Sequence, residues 1–318
     1  MLLCNITNNS IFIFMRYIIL FFLLTLNNVL ITYAQQINVA SYNIRNDNRG
    51  DEKNGNGWKQ RAPVVCQLIQ FHDFDIFGSQ EVLKGQLDDM LNALSEYDYI
   101  GVGRDNGKDK GEFSPIFYKR NKFNLQDFGT FWLSEKTDYP NKGWDAALPR
   151  ICTWGKFEIK EGCRSFWLFN LHFDHVGVVA RQESAKLVLD RIQSMCNGEP
   201  VILMGDFNVD QFNEAYLLLN TSGLLKDVYT TAEINYAMNG TFNNFDPNLV
   251  TEKRIDHIFV TDHFKVNRYG VLTDTYRART DNQQIISSSN FPAEATLIQS
   301  QARMPSDHFP VLTTLVFK

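Results

Sequence analysis

Short apolar runs recur along the chain and predict its strands. The runs have the length of strands and are rich in β-branched and aromatic residues, a combination that favours strands over helices. The predicted strands are INVASYNI (37–44), FDIFGSQE (74–81), SPIFYK (114–119), CTWGKFEI (152–159), SFWLFNLHF (165–173), PVILMGDF (200–207), IDHIFV (255–260) and PVLTTLVF (310–317).

Amphipathic patterns between some of these strands predict helices. Apolar residues recur at helical spacing, with charged residues on the other face, in WKQRAPVVCQLIQFH, GQLDDMLNALS and ARQESAKLVLDRIQSMC. Turn-rich sequence from about 105 to 150 and from 230 to 250 predicts loops. Many strands with few helices between them predict two packed sheets with helices outside.

The amino terminus has the pattern of a secretory signal peptide. Arg16 precedes the apolar stretch YIILFFLLTLNNVLITYA, and small residues stand three and one before Gln35. We expect a signal peptide over 1–34, with Met15 a more natural start than Met1, and a single domain over 35–318. The alternative is an uncleaved anchor; in both cases the rest of the chain works outside the cytoplasm, secreted or periplasmic. No later segment approaches the ~20 apolar residues of a spanning helix.

Composition and charge narrow the class of protein. The chain has 318 residues, 44% hydrophobic and 21% charged, which is ordinary globular usage. The formal net charge is −5 and there is no basic tract. This balance argues against a dedicated nucleic-acid-binding module, and only weakly against a nuclease.

The cysteines are too few and too widely spread for a disulfide scaffold. Cys152 and Cys163 flank TWGKFEIKEG, which we interpret as a hairpin, so the two could pair across it or remain free thiols. No CxxC is present, which excludes a zinc ribbon.

Polar residues with metal or phosphate chemistry stand at the ends of several predicted strands. Taken singly, each has an ordinary explanation as a turn, surface or core residue. If the sheets align, however, these side chains converge at one end of the strands, where sites form. The residues are Asn43, Glu81, His172, Asp206, Asn208, Asp256, Asp307 and His308.

Six sequence blocks resemble the endonuclease/exonuclease/phosphatase superfamily. In order they are SYNIR, GSQE, NLHFDH, LMGDFN, RIDHIF and PSDHFPV, and they span roughly residues 37–318. The resemblance implies a four-layer α/β sandwich, with two mixed β-sheets face to face and helices outside. It also implies hydrolysis of a phosphoester with a divalent metal, Mg²⁺ or Mn²⁺ in its place.

The resemblance also implies roles for individual residues. Glu81 is the principal metal ligand, supported by Asn43 and Asp307, and carboxylates are ligands that Mg²⁺ prefers. His308 is a phosphate-contacting or acid–base group oriented by Asp256.

His172 matches the second histidine of the deoxyribonuclease-like members, with Glu112 at the place of its supporting acid. AP endonucleases have a different residue at the position of His172, so this pair points away from them.

Asp206 and Asn208 are expected to act together. Alternation along an extended segment places them on the same side. The resemblance makes Asp206 the water-activating acid, sometimes assigned to a second metal, and the amide of Asn208 a donor to a phosphate oxygen. Gly205 is expected to let the chain turn where a side chain would crowd the phosphate.

Other residues have weaker claims to a role. Arg150 and Arg181 are candidates for binding substrate, and Asp174 and His175 follow the His172 block. Trp144 and Asp145 lie in a predicted loop that could line a substrate cleft. We interpret His257, beside Asp256, as structural because it points to the opposite face of its strand.

The leading hypothesis is a secreted phosphodiesterase or nuclease, expected as a monomer with a phosphoester substrate. The alternative is a phosphatase or lipid phosphodiesterase acting on small organic phosphates. A non-catalytic binding module on the same fold is disfavoured because the metal acid, the water-activating acid and the His–Asp pair are all present.

Overall fold

The computed structural model describes residues 36–279, 285–286, 292, 294–295 and 297–318. The predicted signal peptide, with Met15 and Cys4, lies outside the described residues. Within them, none of the helices combines the length and the apolar composition that crossing a membrane requires. The chain from Gln36 to Lys318 forms one compact unit, and the boundary after residue 34 stays a prediction.

All eight predicted strands and all three predicted helices are present, with bounds that shift by a few residues. The strands are β1 (Gln36–Asn43), β2 (Ile76–Gln80), β3 (Tyr97–Ile100), β4 (Ile116–Lys119), β5 (Phe123–Trp132), β6 (Ile151–Ile159), β7 (Arg164–His172), β8 (Val201–Asp206), β9 (Lys226–Asp227), β10 (Ile234–Tyr236), β11 (Asp256–Val260), β12 (Phe264–Val271), β13 (Tyr276–Arg279), β14 (Ile285–Ile286), β15 (Leu297–Ile298), β16 (Ser300–Arg303) and β17 (Val311–Phe317). The helices are α1 (Arg49–Lys53), α2 (Trp58–Phe71), α3 (Lys84–Ala93), α4 (Val178–Cys196), α5 (Glu214–Asn220) and α6 (Val228–Thr231).

Two mixed sheets contain most of these strands. The first sheet has seven strands in the order β10-β12-β17-β1-β2-β4-β3, and the second has six in the order β5-β6-β7-β8-β11-β9. β1 is parallel to β2 in the first sheet, and β7 is parallel to β8 in the second. The strands on the other side of these pairs, β17 and β11, run antiparallel.

Strand β8 shows why the sheets are covered on both faces. Ile202 and Met204 lie in the apolar cluster between the sheets, whereas Val201 and Leu203 lie in the cluster beneath α4 and α5. Successive side chains of a strand point to opposite faces, so an apolar run without alternation needs a partner layer on each side.

Strand β1 is covered in the same way in the first sheet. Ile37 and Val39 face the cluster between the sheets, and Ala40 and Tyr42 face α2 and α3. The layers are therefore helices, sheet, sheet and helices. The predicted four-layer α/β sandwich is confirmed.

The prediction of loops from 105 to 150 is wrong for β5. This strand pairs antiparallel with β6 from Phe123 to Trp132, with one irregularity after Leu125. It is the edge strand of its sheet and much of it is exposed. An edge strand needs no continuous apolar run, so the pattern in its sequence is weak. The prediction of loops from 230 to 250 is likewise wrong for β10, which pairs parallel with β12. Strand β12 was not predicted either.

The hairpin predicted between Cys152 and Cys163 is wrong. TWGKFEIKEG forms most of β6 and the turn after it, and the hairpin is made by β6 with β7. Cys152 lies at the start of β6 and Cys163 beyond its end, and both are free. A strand rises about 3.3 Å per residue, which separates the two thiols by about 20 Å and excludes a disulfide.

Gly205 is required by a neighbouring strand. β8 continues through it to Asp206, contrary to the expectation that the chain turns at the glycine. Its φ is +150°, and an added Cβ would lie 2.1 Å from the carbonyl oxygen of Leu171 in β7. The absence of a side chain allows this close approach of the two backbones, rather than the approach of a phosphate.

Candidate active site

The strand ends predicted to carry chemistry meet at one edge of the sandwich. Pairing of β7 with β8 sets His172 opposite Asp206, and pairing of β8 with β11 sets Asp206 opposite Asp256. In the first sheet β1 ends at Asn43, and β2 ends one residue before Glu81. A hydrogen bond of 3.0 Å from Asn43 Nδ2 to Asp206 Oδ2 joins the two sheets here.

A buried acid–histidine cluster lies at this edge. His308 Nδ1 is 2.9 Å from Asp256 Oδ2, and its Nε2 is 3.8 Å from Asp206 Oδ2. Burial favours the neutral imidazole, but the two carboxylates outweigh it and raise the pKa of His308 well above its ordinary value. Burial and the charge of Asp256 raise the pKa of Asp206 to about 7. His308 is thus favoured as a cation that donates to Asp256, and Asp206 has the proton affinity of a general base.

Glu81 and Asp307 converge on one positive charge. Arg45 Nη1 lies 4.0 Å from Glu81 Oε2 and 3.6 Å from Asp307 Oδ2. Asn43 Nδ2 donates to Glu81 Oε1 at 3.2 Å. Two carboxylates directed at a common cation are the hard oxygen ligands that Mg²⁺ or Mn²⁺ takes. The residues present therefore fit the predicted metal.

A second group of residues also meets the distances for a cation. Asp206, Asp256 and His308 each offer a ligand atom, and these atoms lie within 4.8 Å of one another. The hydrogen bond between Asp256 and His308 already uses one atom of each. The structure thus offers two candidate positions for an ion, one at Glu81 and Asp307 and one at Asp206, Asp256 and His308, and the role of Glu81 as principal metal ligand stays a prediction.

His172 lies in the site, but Glu112 does not hydrogen-bond to it. His172 Nδ1 is 4.0 Å from Glu112 Oε2, and its Nε2 is 3.5 Å from Asp206 Oδ2. Glu112 instead accepts hydrogen bonds from Arg104 and from Asn46. Burial, followed by nearby cations such as Arg104, lowers the pKa of His172 well below its ordinary value. A neutral imidazole is favoured here, and the supporting role of Glu112 stays a prediction.

Asn208 lines the site, but it lies on a turn and not on the extended segment that was predicted. Its φ is +50°, so the segment after Asp206 turns rather than continuing extended. Its backbone N–H donates to Asp206 Oδ1 at 2.9 Å, and its Nδ2 donates to the carbonyl of Phe173 at 3.0 Å. The turn therefore fixes Asp206 as well as Asn208.

Arg150 is held in place by Asp174 and His175. Asp174 accepts Arg150 Nε at 3.3 Å and backbone N–H groups, among them that of Gly177 at 2.8 Å. Arg150 Nη2 donates to His175 Nδ1 at 3.0 Å. Arg150 is 4% exposed, and its Nη1 has no hydrogen-bond partner in the described part of the chain. A buried arginine with an unused donor is suited to bind a phosphate oxygen.

Arg181 and the predicted cleft residues are not brought to the site. Arg181 lies in the first turns of α4, where its Nη1 donates to the carbonyl of Asp174 at 2.9 Å. Asp145 accepts the N–H groups at the start of α4, and Trp144 does not line the pocket described below. His257 is buried, with Nε2 3.0 Å from the carbonyl of Val209, so the structural interpretation agrees with its position.

These side chains surround a pocket of about 390 Å³, which we call the catalytic pocket. It is lined by Arg45, Asn46, Asp51, Glu81, Glu112, Leu148, Arg150, His172, His175, Asp206, Asn208, Phe242, Asn244, Phe245, Asp307 and His308. Five of these, Arg45, Glu81, Asn208, Asn244 and Phe245, have a positive φ although none is glycine. Strained backbone of this kind costs free energy and clusters at functional sites.

The sequence reasoning missed several residues of the pocket. Arg45 lies within the SYNIR block, so its position was available, but a local pattern does not show that its side chain turns back towards Glu81. Asn46, Leu148, Phe242 and the loop around Phe245 carried no signal. They reach the pocket through turns whose course depends on tertiary contacts.

Asn170, inside the NLHFDH block, was also missed, because its role depends on contacts with the other sheet. It is fully buried between the sheets, where its Nδ2 donates to the carbonyls of Ser79 and Pro115, both at 2.9 Å. Its Oδ1 accepts from Gln80 Nε2 at 2.6 Å. These bonds fasten β7 to β2 directly behind Glu81 and so help to align the two sheets at the site.

The chain belongs to the Endonuclease/Exonuclease/phosphatase family, whose model matches residues 40–308. Members of this family are phosphoester hydrolases that typically use a divalent metal, and the predicted enzyme class is confirmed.

Several solved structures are similar over almost the whole chain. A family protein from Bacteroides thetaiotaomicron is 53% identical with a TM-score of 0.83, covering 89% of this chain and 98% of that one. A mannosyl-6-phosphatase from Bacteroides thetaiotaomicron is 54% identical with a TM-score of 0.81, covering 88% of this chain and 100% of that one. A family protein from Bacteroides vulgatus is 36% identical with a TM-score of 0.76, covering 89% and 100%.

Proposed function

We propose that this chain is a metal-dependent phosphatase that removes the phosphate from a phosphorylated sugar. The observation that carries the proposal is the 54% identity to a mannosyl-6-phosphatase over all of that chain. A catalytic pocket of about 390 Å³ is at the small end of small-molecule sites, which suits a sugar phosphate. The net charge of −5 offers no general attraction for a nucleic acid.

This proposal reverses the order of the two hypotheses drawn from the sequence. The nuclease hypothesis came first there, and a phosphatase of small organic phosphates was the alternative. The relatives at 53% and 54% identity, one of them a phosphatase, favour the alternative. The test below therefore also measures nuclease and lipid phosphodiesterase activities.

Asp206 is the residue that prepares the attacking water. Its raised pKa allows it to take a proton as the water oxygen bonds to phosphorus and the bond to the sugar oxygen breaks. The departing sugar oxygen can take its proton from the cationic His308, which lines the same pocket. Asn43 and the backbone N–H of Asn208 both donate to its carboxylate and fix its orientation. The neutral His172, 3.5 Å away, can hold the water from the other side.

Cationic groups neutralise the charge of the phosphate. His308, kept protonated by Asp256, and the unused donor of Arg150 both line the catalytic pocket. A divalent ion held by Glu81, Asn43 and Asp307 would polarise the phosphoryl oxygens and stabilise the leaving oxygen.

The test uses the chain from Gln35 to Lys318 with mannose 6-phosphate and Mg²⁺ or Mn²⁺. We expect phosphate release that excess EDTA reduces at least about 10³-fold and added metal restores. Supercoiled plasmid, a nitrophenyl phosphodiester and sphingomyelin serve as alternative substrates. Hydrolysis of one of these without phosphate release from the sugar would overturn the proposal.

A matched pair of histidine variants completes this test. His308→Ala should abolish the activity, whereas His263→Ala should not. His263 is exposed and follows the far end of β11, away from the site.

We also propose that residues 1–34 direct export of the chain, from the signal-peptide pattern in the sequence. Sequencing the amino terminus of the exported protein tests this, since it should begin at Gln35.

A further inference from the structure

We infer that a second pocket beside the catalytic pocket binds neutral sugar units, so that the preferred substrate is a phosphorylated oligosaccharide. The inference rests on the proposed function and extends it. The second pocket has a volume of about 580 Å³, and Phe245 lines both pockets.

Three segments of the chain connect the two pockets. The segment after β1 lines the catalytic pocket as far as Asp51 and the second pocket at Asn54 and Asn56. The loop at Phe245 lines both. Strand β16 lines the second pocket, and the chain after it reaches the catalytic pocket at Asp307. A molecule held by its phosphate in the first pocket can therefore extend past Phe245 into the second.

The second pocket is lined mainly by uncharged polar side chains. Its amide and hydroxyl groups belong to Asn54, Asn56, Asn248, Ser300 and Gln301. Such groups both donate and accept hydrogen bonds, as the hydroxyls of a sugar do. The ring of Phe245 adds an apolar surface of the kind against which a sugar ring packs.

The charged groups of the second pocket do not suit a second phosphate. Arg303 is its one cation among the described residues, and its guanidinium is already engaged. Nη1 donates to the carbonyl of Asn54 at 3.0 Å and to Asn56 Oδ1 at 2.9 Å. Nη2 donates to Gln301 Oε1 at 3.1 Å. Asp246 adds a negative charge nearby.

A polynucleotide carries a negative charge at every unit and needs cations along its path. The pocket beyond Phe245 offers it one engaged arginine and an acid. A chain of neutral sugars with a single terminal phosphate matches both pockets, because its only charge lies in the catalytic pocket.

The experiment compares kcat/KM for three substrates on the full exported chain with its metal. They are mannose 6-phosphate, a mannotriose with a phosphate on O6 of its terminal unit, and a trinucleotide with a 5′-phosphate. We expect the phosphorylated mannotriose to exceed mannose 6-phosphate by about tenfold or more, as a few extra hydrogen bonds would give.

Two variants test where this preference arises. Asn248→Ala and Gln301→Ala should each lower the ratio of the two sugar rates about fivefold, as loss of one hydrogen bond would. Both residues are exposed, so the fold should tolerate the changes. Asn124→Ala, an exposed amide at the start of β5, is the matched control and should leave the ratio unchanged.

The outcomes separate the inference from the proposed function. Equal rates for the two sugars, or a ratio that neither variant changes, would overturn the inference and leave the sugar phosphatase intact. A kcat/KM above that of mannose 6-phosphate for the trinucleotide, but not for the mannotriose, would also overturn the inference. Failure to release phosphate from either sugar would remove the proposed function, and the inference with it.

Discussion

Replacing Asp206 with Asn should lower kcat for the release of phosphate from a sugar phosphate by about 10³-fold. Asparagine has nearly the same shape but cannot accept the proton of the attacking water. Asn43 Nδ2 donates to Asp206 Oδ2 and the backbone N–H of Asn208 donates to Oδ1, so the one amide oxygen of asparagine keeps one of these hydrogen bonds and the other is lost. In the proposed mechanism Asp206 acts on the water and does not bind the sugar. The loss should therefore appear in kcat and not in KM.

The same variant should be no less stable than the unsubstituted protein at pH 8. The pKa of Asp206 is raised by burial and by Asp256, so its ionisation destabilises the fold as the pH rises from the ordinary pKa through about 7. Asparagine removes this cost. Urea unfolding at pH 8, with Asp262→Asn as an exposed control, measures it. Retained activity would show that another group prepares the water.

Replacing Glu81 with Gln should weaken metal binding about 100-fold or more and lower activity about 10³-fold at a fixed metal concentration. The change removes one of the two carboxylates that face Arg45, while the side chain keeps its length. Raising the metal concentration should restore part of the activity.

Titration calorimetry with Mn²⁺ in the absence of substrate measures this effect directly. Glu96→Gln, an exposed acid after α3, is the control. If Glu81→Gln binds Mn²⁺ normally and Asp206→Asn does not, the ion belongs to the cluster of Asp206, Asp256 and His308. The assignment of the metal to Glu81 would then be wrong.

The residues at strand ends were predictable because their positions follow from local patterns. An apolar run that stops at Asp206 or His172 identifies both the strand and its end, and parallel pairing then brings the ends together. The family resemblance added which of these residues act together. The eight buried strands were found for the same reason.

Features that depend on tertiary contacts were not predictable. Arg45 and Arg181 are both arginines near a predicted block, yet one turns into the catalytic pocket and the other binds a backbone carbonyl. Glu112 stands at the expected place but hydrogen-bonds to Arg104. In each case the partner is distant in the sequence or lies on a turn, where spacing carries no information about direction.

The active site has two halves, and each sheet carries one. Asn43 and Glu81 belong to the first sheet, and His172, Asp206 and Asp256 to the second. The proposed mechanism uses residues of both halves, so we expect turnover to depend on how the two sheets are aligned. A core substitution that lets one sheet slide by a fraction of a residue would leave the protein folded but without activity. We therefore expect the activity to respond to smaller shifts in the packing of the sheets than the melting temperature does.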